Sequence, residues 1–496
     1  MVNADDLVAS LRCRIDSHFE WLLVRPTGRT FPLRRDEIYV ISQGERVMFG
    51  VLDDSGFNSF RVRSIADAGE ELLLDLGSRS DSVVETIRLL PRTPARELSF
   101  NVDLARLERA NLIGAALVRL FPSVKLIRIA LNHENGRLAQ IIVREPSGKE
   151  AALLSDVTGS MIHEAILTTA ITWSDKLRRR KKPVNEVWIA GERKQVRNLR
   201  KLMGLLNPNV AGRFRMFEIT NGDELELKEL KTPSLSDLWR EKPKKITLPN
   251  EMRPSETAER IRELAPDKTD IIFSYQGETV RFQGLPFARI RTVAGRERAW
   301  FGIDHRRLLN DDDDWSDLAT LVADLEMYRS ARTPNKRHEV YRYAPEAWLE
   351  SILRRNIKLL DTNLILSPIY NQFRASTDKI DLLAIRRDGR LVIIELKTSP
   401  DREMVFQAAD YWRKIELQRR RGVLARMRAF GDTEILDKPA LVYAVAPALS
   451  FHLDFPLYAA SLRKEIEVWR FDLHQDWRSE IKVLTRRDYA SSGTYL

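Results

Sequence analysis

KIDLLAIRRDGRLVIIELK, residues 379–397, says more about architecture than any other part of this chain. It reads as two apolar strands joined through Asp388-Gly389, a turn pair between runs of Val, Ile and Leu. Strands this rich in aliphatic residues are those with both faces covered. Three charged residues nevertheless stand among them: Asp381, Glu395 and Lys397. Charge on a buried strand is costly unless it is paired or bound to metal. Two carboxylates and an ammonium at one end of a sheet form a hard-cation site with a fixed positive charge beside it.

The spacing bears on whether the three meet. Glu395 and Lys397 are two apart, so on a strand they share a face. A two-residue turn at Asp388-Gly389 would pair Leu382 with Glu395 and put Asp381 on the other face. A three-residue loop, Arg387-Asp388-Gly389 with a left-handed Gly389, pairs Asp381 with Glu395. Such a loop is a type I turn followed by a glycine bulge, and the sequence favours it.

An aspartate on one core strand and Glu-x-Lys on the next resembles the PD-(D/E)XK nuclease superfamily. Gln407 and Tyr411, in FQAADYW, are similar to the QxxxY element of its RecB-like and Cas4-like branches. Upstream, APEAWLESILRRN reads as a helix opened by Pro345, with Glu350 in its second turn. It resembles the helix that supplies an extra acidic residue in these nucleases. The stretch 346–397 is also similar to the archaeal mismatch-type endonuclease catalytic domain. Ile380 stands where the "P" of the motif would be. The resemblance covers roughly residues 340–475 and leaves the first 330 unaddressed.

The resemblance implies an αβββαβ restriction-endonuclease-like core and metal-dependent phosphodiester hydrolysis. Mg2+ (or Mn2+) would be held by Asp381, Glu395 and the Leu396 carbonyl, with Glu350 reaching it through water. Lys397 would orient the attacking water, and Gln407 and Tyr411, one helical turn apart, would address the site or the DNA backbone.

Composition is consistent with this. At 496 residues, length alone suggests three or four domains. A hydrophobic content of 43% with mean hydropathy −0.33 fits water-exposed globular domains with sizeable cores. One cysteine, Cys13, excludes a disulfide framework and points to a reducing cytoplasm. No stretch reaches the length of an uncharged membrane span, and the first residues lack the plan of a secretory signal. A net charge of +10 and pI near 9.5 suit a polyanionic partner, DNA before RNA. A homodimer is compatible with the sequence. Two basic clusters are candidate phosphate contacts. Lys176–Lys182, KLRRRKK, contains Arg178, Arg179, Arg180, Lys181 and Lys182. Arg413, Lys414, Arg419, Arg420 and Arg421 lie on or just after the Gln407 helix.

The chain divides into an α/β multidomain plan. Residues 1–97 predict a short helix and a small β-barrel-like domain. Residues 98–232 run helix, three strands, helix, strand, helix, strand, close to the order expected in the C-terminal domain. This α/β stretch is therefore a candidate second, inactive nuclease-like core. Its site-bearing pair is expected at Lys125–Leu131 and Leu138–Arg144, where no carboxylate is followed two residues later by lysine. Residues 233–335 predict a Pro- and charge-rich linker over Lys231–Pro254 and a small α/β insert. Asp311–Asp314 reads as an acidic first turn of a helix rather than a cation loop. Residues 336–496 predict the nuclease domain. No HxxxH or HxH pair occurs, so a zinc enzyme has no support, and without a GxxxxGK[ST] loop no ATP-driven motor is expected. Two readings stay open beside a DNA nuclease: a silent nuclease fold that binds nucleic acid as an adaptor, and an RNA-directed nuclease.

Overall fold

The computed structural model describes residues 4–53, 56–77, 83–92, 95–184, 186–221, 224–242, 253–274, 277–293, 296–303, 305–367 and 381–489. Lys379 and Ile380, residues 368–370 of the strand that the sequence predicts near 363–370, and 243–252 of the expected linker lie outside them. The chain forms two compact units, Met1–Arg200 with Gly212–Thr232, and Lys201–Ala211 with Pro233–Leu496. It is mixed α/β, with four sheets among the described residues.

In the first unit, β1 (Glu20–Val24), β2 (Thr30–Arg34), β3 (Ile38–Gln43), β4 (Arg46–Asp53), β5 (Gly56–Ala68), β6 (Glu71–Gly77) and β7 (Val83–Pro91) form one antiparallel sheet. Its order is β2-β1-β7-β6-β5-β4-β3. Where the sequence predicts a small β-barrel-like domain, the sheet is a curled half-barrel, and among the described residues no pairing joins its edges β2 and β3. The reason lies in the core. Val8, Leu11 and Ile15 of the Ala4–Asp16 helix pack with Trp21, Phe49, Leu74 and Leu89, so a helix covers the apolar face that strand closure would otherwise bury.

The same unit holds a six-stranded sheet in the order β13-β12-β11-β10-β9-β8. Its strands are β8 (Lys125–Leu131), β9 (Leu138–Arg144), β10 (Glu150–Asp156), β11 (Glu186–Glu192), β12 (Phe214–Asn221) and β13 (Leu225–Leu230). Ala110, Ile113 and Leu117 of the Ala95–Leu120 helix cover one face through Ile141, Leu153 and Ala190.

The second unit begins with an antiparallel sheet of β14 (Thr269–Ser274), β15 (Gly277–Phe282), β16 (Leu285–Val293), β17 (Arg296–Phe301) and β18 (Arg307–Leu309). The Asp312–Tyr328 helix follows. Asp311 is its N-cap, accepting from the Asp314 N–H at 2.9 Å, as the acidic-turn reading expects. Part of the expected linker is packed: Trp239 lies 5.9 Å from Trp412, and Glu241 pairs with Lys201 and Arg413.

The last sheet runs β19-β20-β21-β22-β23-β24, from β19 (Leu364–Leu366), β20 (Leu382–Arg386), β21 (Leu391–Leu396), β22 (Leu441–Pro447), β23 (Glu467–Leu473) and β24 (Val483–Asp488). From β19 onward its pairings are antiparallel, antiparallel, parallel, parallel, antiparallel. From β8 onward, the earlier six-stranded sheet has the same sequence of directions. The two sheets thus share strand order and direction throughout. One detail of the sequence reading changes. The hairpin equivalent to β20–β21 is β9–β10, not the pair Lys125–Leu131 and Leu138–Arg144, because β8 takes the edge place of β19.

Candidate active site

The β20–β21 hairpin has the register that brings the charged residues together. Leu382 pairs with Ile394 and Ile385 with Leu391. One step further along that register places Asp381 opposite Glu395. The loop is closed by the Gly389 and Arg386 N–H groups, which donate to Arg386 O and Arg390 O, each at 2.8 Å. Residues 387–389 are therefore the three-residue connection, and Gly389 has φ +84°. A Cβ there would also lie 2.8 Å from the Glu434 carbonyl, so glycine is required twice over.

Parity then separates the faces. Leu382, Ile394 and Leu396 join Trp348, Leu349 and Leu353 of the Pro345–Arg355 helix in one core. Asp381, Glu395 and Lys397 have the opposite parity and lie on the other face. That face is left for the Met404–Arg420 helix, which packs on β21 and β22.

Each charged group at the strand end has a distinct environment. Asp381 Oδ2 accepts the Leu396 N–H at 2.9 Å, so a side chain continues the ladder where β20 stops. Glu395 is 3% exposed, and its Oε2 is buried with no hydrogen-bond partner among the described residues. Burial, and then the charge of Asp381, push its carboxyl well above the ordinary carboxylate range, although Lys397 opposes the shift. Lys397 Nζ lies 3.5 Å from Glu395 and 3.0 Å from Asp401. Burial would lower the ammonium's pKa, but Glu395, Asp401 and Glu346 together hold it above its usual value.

Two of these neighbours were not singled out from sequence. Asp401 accepts the Glu403 and Met404 N–H groups at 2.6 and 3.1 Å, capping the Met404–Arg420 helix while holding Lys397. An aspartate just before a helical run is a start signal, and Pro400-Asp401 supplied it. Glu346 sits in the first turn of its helix, close enough to Lys397 to act on its charge.

The remaining expected residues fall in different places. Glu350 is buried and pairs with Arg281 at 3.3 Å and Arg354 at 3.4 Å, while Arg281 also binds Asp270. Its helix packs on the sheet face opposite the carboxylate pair. Gln407 and Tyr411 are half-buried on the Met404–Arg420 helix, and Lys414 Nζ lies 5.4 Å from the Tyr411 ring centroid. Arg413 is buried between Asp410 and Glu241. Lys414 pairs with Asp410 at 2.7 Å. Arg419 is held by Glu416 and Asp437, and Arg420 lies over Trp239 at 4.7 Å. Arg421 donates to the Trp239 carbonyl at 3.1 Å. Arg178, Arg179, Arg180, Lys181 and Lys182 are all exposed at and beyond the end of the His163–Arg178 helix.

No protein-family model matches the chain, and no curated protein matches it. Among solved structures, the chain is similar to EndoMS in its apo form, at 13% identity and a TM-score of 0.16. That match covers 44% of this chain and 95% of the other. Among the described residues, no helix is long and apolar enough to cross a membrane.

The corresponding strand end of the other six-stranded sheet has a different chemistry. There Asp156 pairs with Leu138, so a leucine faces this carboxylate as Asp381 faces Glu395, and two residues on stands Thr158 rather than a lysine. The Asp156 carboxylate is saturated by protein donors. The Thr158 N–H and Met161 N–H each lie at 2.8 Å, and the Thr158 hydroxyl and Gln195 Nε2 each at 2.7 Å. One sheet end satisfies its carboxylate internally; the other leaves a buried carboxylate oxygen bare.

That bare oxygen tests the fit to a divalent cation. Among the described residues, no three His, Cys, Asp or Glu side chains converge as a ligand set. Two carboxylates from adjacent strands are nonetheless what Mg2+ uses when it keeps several waters and takes the rest from substrate phosphate. An all-oxygen donor set excludes a thiolate- or imidazole-selecting metal. The residues present fit Mg2+ or Mn2+.

Proposed function

We propose that this chain is a metal-dependent nuclease that hydrolyses phosphodiester bonds, with DNA as its substrate. The observation that carries this reading is Glu395 Oε2, buried beside Asp381 and Lys397 and without a hydrogen bond among the described residues. A buried acid left unsatisfied is a standing cost unless a ligand completes it. Asp381 and Glu395 would hold Mg2+ or Mn2+, with the Leu396 carbonyl as a third donor. The ion would supply Lewis-acid polarisation of the phosphate and offset charge in the transition state.

The protein's own groups have separable roles. Asp381 fixes the strand ends through the Leu396 N–H and supplies one carboxylate. Lys397 keeps its proton, so it acts as a fixed charge that orients a water and stabilises the transition state, not as a base. Asp401 aims it. Gln407 and Tyr411 stand one turn apart on the helix capped by Asp401, where they would meet the substrate backbone.

The test is incubation of the protein with linear duplex, circular duplex and single-stranded DNA, and with RNA, each with Mg2+, Mn2+ or EDTA. Cutting that needs the metal and is lost in Lys397→Ala supports the proposal. Cutting in EDTA, or no cutting of any polymer, overturns it. Cutting of RNA alone corrects the substrate.

A further inference from the structure

The loop after β22 has its side chains inverted. Leu449 and Leu453 are 82% and 94% exposed, whereas the polar and aromatic residues between them turn inward. Ser450 is buried and donates to the Thr398 carbonyl at 3.0 Å. Phe451 lies 5.1 Å from buried Phe455 and has Arg470 over its ring at 4.0 Å. His452 Nε2 is 3.0 Å from Arg402 Nε. The loop is therefore pinned at three consecutive residues while it holds two aliphatic side chains in water.

Its position is equally specific. β21 and β22 are parallel neighbours, and the Lys397 N–H donates to Val445 O at 3.0 Å. Thr398, which Ser450 grips, follows Lys397 directly. The loop that carries the two leucines is thus bonded to the residue that follows Lys397. Single exposed leucines are ordinary. Two on one pinned loop, bonded next to Lys397 in a chain of net positive charge, suit a partner with apolar slots next to anionic groups. A nucleic-acid duplex offers both: base steps that admit an apolar wedge, and phosphates beside them. A basic chain with a net charge of +10 complements that polymer.

We infer that Leu449 and Leu453 are a wedge inserted between base pairs of duplex DNA, unstacking the duplex next to the phosphate to be cut. This rests on the nuclease reading of the neighbouring site. Unstacking a step costs a few kcal/mol, which the contacts of the deformed duplex return, so the wedge matters for duplexes and not for single strands.

The experiment uses the full chain in EDTA, so that nothing is cut, with duplexes carrying 2-aminopurine at successive positions. Binding of the native protein raises fluorescence at one or two adjacent positions. Leu449→Ser/Leu453→Ser loses that rise and binds duplex at least roughly tenfold more weakly, with single-strand affinity and thermal midpoint unchanged. Both side chains are exposed, so the variant folds. An unchanged duplex signal and affinity in the double variant, while the native protein still cuts, overturns the wedge and leaves the nuclease standing. Equal weakening on duplex and single strand also overturns it, since the leucines would then only brush one strand. A native protein that binds no duplex defeats both readings.

Discussion

Asp381 accepts the backbone N–H of Leu396 at 2.9 Å, so the carboxylate opposite Glu395 also ties together the ends of β20 and β21. Its two duties separate by substitution. Asp381→Asn keeps an acceptor for the N–H but loses the negative charge. We expect both Asp381→Asn and Asp381→Ala to lower cleavage by at least about a hundredfold. Only the alanine variant should also lose stability, by roughly 1.5–3 kcal/mol, the worth of a hydrogen bond to a charged group. Duplex affinity should survive in both, because phosphate contacts are spread over many cations. Denaturant melts beside cleavage assays decide it; full activity in Asp381→Asn would contradict the assignment.

Glu395 carries the opposite expectation. Its Oε2 has no hydrogen bond among the described residues, and burial holds the carboxyl well above its ordinary range. Glu395→Gln removes an acid whose ionised form the apo protein cannot solvate. Without metal, the variant should be as stable as the native chain or more stable, by on the order of 1 kcal/mol. With Mg2+ it should show neither the rise in melting temperature that metal binding gives the native protein nor cleavage. A variant that melts lower in EDTA would show that Glu395 is already satisfied.

Gly389 tests the hairpin that places both acids. Gly389→Ala meets a positive φ of 84° and a Cβ contact of 2.8 Å with the Glu434 carbonyl. Left-handed strain alone costs roughly 1–3 kcal/mol, and the backbone contact adds to it. Chemical denaturation should report a loss within or above that range, with metal affinity falling because the register loosens. An unperturbed melt would mean that the loop adopts another form in solution.

Some of this was legible in residues 379–397 and some was not, for physical reasons. A strand has period two, so charges in an aliphatic run and the length of a glycine loop suffice to place Asp381 against Glu395. Glu350 was not legible in the same way. Its helix is amphipathic, but sequence does not say which sheet face the helix covers. Trp348, Leu349 and Leu353 pack on the face away from the carboxylates, where Arg281 from β15 meets Glu350. The basic run after Gln407 read as candidate phosphate contacts, although the acids that bury Arg413 and Arg419 stand three residues earlier in each case, as Asp410 and Glu416. A helix brings i and i+3 together, so the pairing was available in the sequence. Glu241, which completes it, was too distant to foresee.

Stability should depend on pH through Glu403. Burial, followed by its hydrogen bond to Asp401, raises its carboxyl from the ordinary 4.5 to about 7. A raised acid favours the protonated folded state. Its contribution is therefore complete below pH 4.5 and is lost as pH climbs through about 7. In EDTA, Glu403→Gln should flatten that part of the stability profile between pH 5 and pH 8. Parallel slopes for the native protein and the variant across that window would remove Glu403 as the source.

The two basic clusters should respond to mutation in opposite ways. Arg178, Arg179, Arg180, Lys181 and Lys182 are exposed, and the ion pair at this helix end joins Arg179 to Asp175 at 2.8 Å. Replacing all five by glutamine should leave melting unchanged, since exposed pairs contribute at most about 1 kcal/mol. If this segment grips the phosphate backbone, each contact released also reduces the dependence of log affinity on log salt by roughly 0.9. The slope should then fall by up to about 4.5, with cleavage at saturating DNA unaltered. Arg413 is different. It lies buried between Asp410 and Glu241, and its charge keeps the buried Asp410 carboxyl below the ordinary range. Arg413→Ala strands that carboxylate, an effect of roughly 3–5 kcal/mol on stability with little on the salt slope. Titrations of DNA binding at several salt concentrations, run beside denaturant melts, separate the two. A normal melt with a reduced salt slope for Arg413→Ala would place that arginine on the DNA and undo its assignment as internal scaffolding.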